Sequence, residues 1–93
     1  MNNQILFIYE LPFLFDIFEE IKENLNFKII NLTKKEITET NFSQYENYLI
    51  LSQKKNLNLS NVILVDDFPI KFSKILEKIN IGFLKKNLMN SQI

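Results

Sequence analysis

The stretch that most constrains the fold is Ile5–Phe18, an apolar run interrupted by an acidic residue and a proline. Its first four residues, Ile5–Ile8, are all apolar, which is typical of a central strand covered on both faces. Pro12 is suited to the first turn of a helix, and apolar residues then recur at helical spacing. They are Leu14, Ile17, Phe18, Ile21 and Leu25. The pattern predicts a strand, a tight turn and an amphipathic helix over about residues 11–25, the opening unit of an α/β domain.

Length and charge limit the partners of the chain. Its 93 residues suffice for a single domain with one core, over residues 1–93. Eleven lysines, no arginine and eleven acidic residues leave no net positive charge, so we expect no direct contact with nucleic acid. The N-terminal apolar stretch is broken by Glu10, Pro12 and Asp16, which predicts neither a signal peptide nor a membrane helix. We therefore expect a cytoplasmic protein.

The missing residue types exclude several kinds of chemistry. Without histidine or cysteine the chain lacks disulfides and the usual ligands of zinc and haem, and no cofactor is expected. The only glycine, Gly82, falls in the predicted last helix, which excludes a glycine-rich phosphate loop. The lysine pairs beginning at Lys34, Lys54 and Lys85 are interpreted as solvated surface.

Three further strands and two helical regions follow the opening unit. The strands are predicted at Phe27–Leu32, Tyr48–Leu51 and Val62–Val65. Thr33 and Glu36 have capping-box spacing and begin a region of short helical pieces that ends near Glu46. A last helix has its core residues at Phe72, Ile75, Leu76, Ile79 and Phe83. It is predicted to run to about residue 88, so residues 83–93 comprise its end and a linker to a domain outside this sequence.

The predicted fold class is therefore α/β, a small three-layer domain with about four strands in a mostly parallel sheet. The connection between the last two strands, Ser52–Asn61, is short for a parallel crossover. Three arrangements stay open for the fourth strand: antiparallel pairing, a single short crossing, or an open sheet edge that a partner covers.

Three segments resemble the receiver domain of bacterial response regulators, a phosphoaspartate switch with a flavodoxin-like fold. Ile5–Pro12 is similar to the opening strand that ends in an acidic pair, and Asn47–Ser52 to the strand that ends in the phosphoacceptor aspartate. Phe68–Ile79 is similar to the Lys-Pro-Phe turn and the final helix. The resemblance implies a receiver-like fold, and it covers most of the chain in order.

The chain departs from the receiver pattern where the chemistry of that family resides. Tyr9 and Glu10 stand in place of the acidic pair, Ser52 in place of the phosphoacceptor, and Phe68 in place of the lysine before the retained Pro69. The serine hydroxyl is a poor ligand for Mg²⁺, and it cannot attack a phosphodonor without a base. The resemblance thus implies a degenerate receiver that is not phosphorylated, binds no metal and has no catalytic residues.

Acidic residues at the same predicted edge leave an enzymatic alternative open. Asp66 and Asp67 follow the fourth strand, and with Glu10 they make a small Mg²⁺-dependent phosphotransfer or hydrolase site conceivable. Because adjacent residues on a turn point apart, we favour a structural role at the start of the last helix.

Apolar residues near the end of the last helix suggest an interaction surface. Ile81, Leu84 and Leu88 lie on a different side from its core residues. They belong either to a longer core-packed helix or to an interface with a second copy or a partner protein. We predict a dimerisation or protein-interaction module, the N-terminal regulatory part of a transcriptional regulator that reads DNA through a winged-helix domain. The alternative is a stand-alone adaptor or antagonist that binds another signalling protein through the open sheet edge.

Overall fold

A computed structural model describes residues 4–54, 57–66 and 71–90 of the chain, with residues 89 and 90 described by their backbone alone. At the centre of these residues is a four-stranded parallel sheet of order β2-β1-β3-β4. Its strands are β1 Gln4–Tyr9, β2 Lys28–Leu32, β3 Asn47–Ser52 and β4 Val62–Leu64. This order equals that of the first four strands of the flavodoxin-like fold, which confirms the predicted class. It also settles the direction of the fourth strand as parallel.

Strand β1 lies inside the sheet and buries side chains on both faces. Leu6 and Ile8 belong to the core cluster of one face, and Phe7 and Tyr9 to the cluster of the other. Because both faces are covered, every position of this strand gains from an apolar side chain. This explains why the sequence has an unbroken apolar run where a half-exposed strand would alternate.

The first face is covered by helices α1 (Pro12–Glu20) and α3 (Phe72–Asn90). Rings from both helices meet in its cluster: Phe18 lies 4.9 Å from Phe72 between ring centroids. The buried residues of this cluster are Leu6, Ile8, Leu11, Leu14, Phe18, Phe27, Leu49, Leu51, Val65, Ile75, Ile79 and Phe83. The core residues predicted for the last helix thus pack as expected.

Helix α1 is shorter than predicted. It ends at Glu20, and a 3₁₀ turn at Lys22–Asn24 replaces the expected continuation to Leu25. The Ile21 N–H bonds to the carbonyl of Phe18, three residues back, which tightens the chain and ends the α-helical pattern. Asn24, inside this turn, and Asn26, just after it, are weak helix formers.

Gly82 brings α3 close to the sheet. A Cβ atom at this position would lie 3.0 Å from Cδ1 of Leu49 on β3. The absence of a side chain therefore allows the closer approach, and the helix continues past it as one piece to Asn90.

The second face carries shorter elements: helix α2 (Glu36–Glu39) and a 3₁₀ turn at Phe42–Gln44. The predicted capping box is present, since the Thr33 N–H donates to Glu36 Oε1 at 2.9 Å and the Glu36 N–H donates to Thr33 Oγ1 at 3.3 Å. Aromatic side chains, and not a long helix, pack against the described part of this face. Phe42, Tyr45 and Tyr48 surround Phe7 at centroid distances of 5.1, 5.2 and 5.9 Å.

The connection from β3 to β4 crosses the second face without a helix in its described residues. Leu57 packs against the cluster of that face, so the segment itself serves as cover. The connection from β1 to β2 passes over the first face. The connections from β2 to β3 and from β3 to β4 run the other way across the sheet and pass over the second face. This is the arrangement that a single crossover handedness requires.

Candidate functional site

Three of the receiver-site positions, Tyr9, Glu10 and Ser52, lie at the carboxyl edge of the sheet. Strands β1 and β3 pair up to Ile8 and Leu51, so Tyr9 and Ser52 are the next residues on adjacent strands. Tyr9 is 2% exposed and Ser52 is 0% exposed. The edge that carries chemistry in parallel α/β domains is therefore occupied by buried side chains at its two central strands.

The polar groups of Ser52 are engaged in the turn that follows it. Its Oγ accepts a hydrogen bond from the Lys54 N–H at 3.0 Å, and its carbonyl accepts one from the Val65 N–H at 2.7 Å. These bonds fix the start of the β3–β4 connection and the end of β4. The hydroxyl acts as a local turn acceptor, a common structural role of serine.

A lysine lies above the ring of Tyr9. Nζ of Lys54 is 5.6 Å from the ring centroid, within the range of a cation–π contact. At the other end of the sheet, Nζ of Lys86 lies 5.7 Å from the centroid of Tyr48. Lys54 remains exposed and Lys86 is partly exposed, so each of these lysines combines a ring contact with a position at the surface.

Among the described residues, the acidic side chains of this edge do not form a metal-binding cluster. Glu10 is exposed and has a φ of 55°, and its N–H donates to the carbonyl of Leu32 at 3.3 Å. Asp66 is also exposed, while Asp67, Phe68 and Pro69 fall outside the described residues. Within the described part of the chain, no three acidic side chains lie close enough to hold a metal ion. Glu10 and Asp66 are therefore not part of a metal-binding cluster among the described residues.

The opposite, amino edge of the sheet holds a part-buried amide network that the sequence analysis missed. Asn87 of α3 donates through Nδ2 to Gln4 Oε1 at 3.1 Å and accepts at Oδ1 from Asn47 Nδ2 at 2.8 Å. Gln4 also donates through Nε2 to the carbonyl of Asn26 at 3.2 Å. The network joins the starts of β1 and β3 to the last turns of α3, and thereby fixes the end of that helix on the sheet.

A sequence signal for this network exists. Asn87 is four residues after Phe83 and eight after Ile79, so it continues the buried stripe of α3 with a polar side chain. A polar residue on a core stripe requires a partner, and polar residues at the strand starts supply it. Asn47 retains one buried oxygen, Oδ1, without a hydrogen-bond partner.

A shallow open depression of about 460 Å³ lies on the second face near the amino edge. Its lining residues are Ile5, Lys28, Gln44, Tyr45 and Glu46. One cation, one anion and no histidine give it no recognisable catalytic arrangement.

Two exposed apolar stripes lie on the helices of the first face. Ile81, Leu84 and Leu88 of α3 are 44%, 58% and 56% exposed, so they are not core residues of this chain. Phe13 and Ile17 of α1 are 49% and 39% exposed. Ile17 belongs to the apolar pattern predicted for the first helix, but it is exposed, whereas Leu14 and Phe18 of the same pattern are buried.

Comparisons with known proteins add no identification: no protein-family model, no curated protein and no solved structure matches this chain. A search of the described helices for a membrane-spanning segment finds none of sufficient length and apolarity. The receiver resemblance therefore rests on the residues quoted in the sequence analysis.

Proposed function

We propose that the chain is a degenerate receiver domain that is not phosphorylated and that works by dimerisation or protein binding. It forms the regulatory part of a transcriptional regulator, with DNA reading assigned to another domain. The observation that carries the proposal is the exposed stripe of Ile81, Leu84 and Leu88 on a helix whose end is fixed by part-buried amide hydrogen bonds. Exposed apolar patches of this kind are typical of protein interfaces.

The proposed mechanism is mass action. Pairing two regulatory domains raises the effective concentration of the attached DNA-binding domains at two neighbouring half-sites. The domain needs no chemistry of its own for this role. A rigid helix that presents the same side chains in every copy is sufficient.

The carboxyl edge supports a role without phosphotransfer. Ser52 is buried, and its hydroxyl accepts a hydrogen bond from the following turn. Tyr9 fills the neighbouring position with a ring that Lys54 covers. A phosphodonor would have to displace these contacts before reaching the serine.

Light scattering across a concentration series tests the proposal, with and without Mg²⁺ and beryllofluoride. We expect a concentration-dependent dimer that is indifferent to both additives. Leu84→Asp should weaken it, whereas Leu59→Asp, at an exposed leucine in the β3–β4 connection, should not. A change of mass on adding Mg²⁺ or beryllofluoride would contradict the proposal, because it would reveal a working acidic site.

A second candidate function is that of an adaptor that binds a signalling protein through the sheet edge. Strand β4 is an edge strand of only three residues, Val62–Leu64, each of them half-buried. Short edge strands resist pairing with another chain, so this candidate ranks second. Protection of the β4 amides from hydrogen exchange on adding a partner would favour it.

A further inference from the structure

We propose that α1 of one copy docks on α3 of a second copy, and that opposite charges beside the two apolar stripes select this pairing. The inference rests on the proposed function, since it names the surface through which the domain dimerises. It commits to a second copy of this chain as the occupant of both exposed stripes.

The helices carry equal and opposite charge. Helix α1 contains three acidic residues and no basic one, which gives −3. Helix α3 contains four lysines and one glutamate, which gives +4 − 1 = +3. The residues concerned are Asp16, Glu19 and Glu20 on α1, and Lys74, Glu77, Lys78, Lys85 and Lys86 on α3.

The charges lie directly beside the apolar stripes. Asp16 is three residues after Phe13 and Glu20 three after Ile17, so each acid is a surface neighbour of a stripe residue. On α3, Lys78 is three residues before Ile81 and Lys85 is four after it. Only Glu77 departs from the basic character of the described charges on this side of α3.

Apart from Glu19, these charges have no ion-pair partner among the described residues of one copy. The one ion pair among the described residues joins Lys22 to Glu19 at 3.1 Å, next to the end of α1. No described ion pair links the acids of α1 to the lysines of α3. Moreover, Glu19 and Glu20 occupy the last turn of α1, where the helix carbonyls already present negative charge. Lysines from a second copy would relieve this repulsion.

Opposite charge discriminates between the three pairings that the two stripes permit. Pairing α3 with α3 places lysines against lysines, and pairing α1 with α1 places acids against acids. Only α1 with α3 pairs unlike charges. Because both helices cover the same face of one sheet, two copies stacked by these faces form this contact twice when the two-fold axis runs parallel to the helices, so that α1 of one copy and α3 of the other lie parallel.

Charge reversal tests the pairing directly. One variant carries Lys78→Glu and Lys85→Glu, a second carries Asp16→Lys and Glu20→Lys, and a third combines all four changes. Each is studied as the full chain by sedimentation equilibrium. The first two variants should each raise the dimer dissociation constant by about tenfold or more, since both copies of the contact then oppose like charges.

Rescue is the decisive result. An equimolar mixture of the first two variants should form mixed dimers, because both of its α1–α3 contacts again join unlike charges. The variant that carries all four substitutions should self-associate like the wild type for the same reason. Added salt should weaken every one of these dimers.

Matched controls place the same charge changes on the other face. Lys34→Glu with Lys35→Glu, and Glu39→Lys with Glu46→Lys, alter exposed residues near α2 and should leave the dissociation constant unchanged. Circular dichroism verifies that each variant is folded.

Two outcomes would overturn the inference, and they differ in what they mean for the proposed function. If the charge-reversal variants dimerise like the wild type, or if mixing the two variants does not restore dimerisation, self-association uses another surface. Either result overturns the inference and leaves dimerisation as the proposed function. A strict monomer at all concentrations would overturn the inference and leave binding of a different partner as the role of the domain.

Discussion

The two edges of the sheet use their polar residues in opposite ways. At the carboxyl edge, Ser52 makes a hydrogen bond to its own following turn, and Tyr9 is buried in the core of the second face. At the amino edge, side chains of β1, β3 and α3 bond to one another across long stretches of sequence. The edge expected to carry chemistry is thus locally closed, whereas the opposite edge ties distant elements together.

The comparison explains how a surface, instead of an active site, becomes the principal feature of the domain. Asn87 lies one residue before Leu88, and the amide network fixes the helix turn that presents the exposed stripe. At the carboxyl edge, by contrast, the positions that resemble a phosphorylation site stabilise the strand ends. Substitutions at the two edges should therefore have different consequences for stability.

The largest effect is expected from Ser52→Asp, which restores an acidic residue at the buried carboxyl edge. Because position 52 is buried, the pKa of a carboxyl introduced there is raised. The ionised aspartate should therefore lower the free energy of unfolding by about 3–5 kcal/mol at neutral pH. The loss should shrink as the pH falls and the carboxyl is protonated. Urea denaturation at several pH values measures it.

Ser52→Ala is the control, and should cost only about 1 kcal/mol for one hydrogen bond. Mg²⁺ that restored the stability of Ser52→Asp would contradict the structural interpretation of the carboxyl edge, because it would reveal a metal site.

The next largest effect is expected from Asn87→Ala at the amino edge. The change leaves Gln4 and Asn47 without their amide partner, which should cost about 2–3 kcal/mol of unfolding free energy. Asn80→Ala makes the same substitution at an exposed position of α3 and reports the gain in helix propensity alone.

A double-mutant cycle of Asn47→Ala and Asn87→Ala should give a coupling of about 0.5–3 kcal/mol. Equal stability changes for Asn87→Ala and Asn80→Ala would show that the network does not tie α3 to the sheet.

A smaller effect is expected where both edges have the same kind of contact. Lys54→Met and Lys86→Met remove the cations above Tyr9 and Tyr48, and each should cost about 0.5–1 kcal/mol. Thermal denaturation of both variants provides the measurement, with Lys35→Met as an exposed control. A much larger loss for Lys54→Met would indicate that the carboxyl edge depends on this lysine beyond the ring contact.

The smallest effect concerns the capping box after β2. Hydrogen bonds from the backbone N–H and the side chain of Thr33 lower the pKa of Glu36. A carboxyl with a lowered pKa stabilises the fold above its ordinary pKa, and this contribution is lost as the pH falls through the lowered value. The free energy of unfolding of Glu36→Gln should therefore be lower than that of the wild type near neutral pH and equal to it in acid. A difference that persisted in acid would rule out the carboxylate as its source.

The sequence by itself determined the layered α/β class. The unbroken apolar run Ile5–Ile8, the proline that begins α1 and the Thr33–Glu36 capping box are local signals, and the structure contains each of them. These signals could be recognised in the sequence because their causes act over a few residues. Burial on both faces requires the apolar run, the fixed φ of proline suits the start of a helix, and the capping box is a reciprocal pair of hydrogen bonds.

Only the tertiary structure decided what lies at the two edges. Gln4, Asn47 and Asn87 meet because parallel strands start at one edge and α3 ends there, a relation between residues as far apart as positions 4 and 87. The exposure of Ile17 depended on the rotation of α1 against the sheet, and the parallel direction of β4 on how its connection crosses the second face. Such features follow from packing between distant segments, which local spacing does not encode.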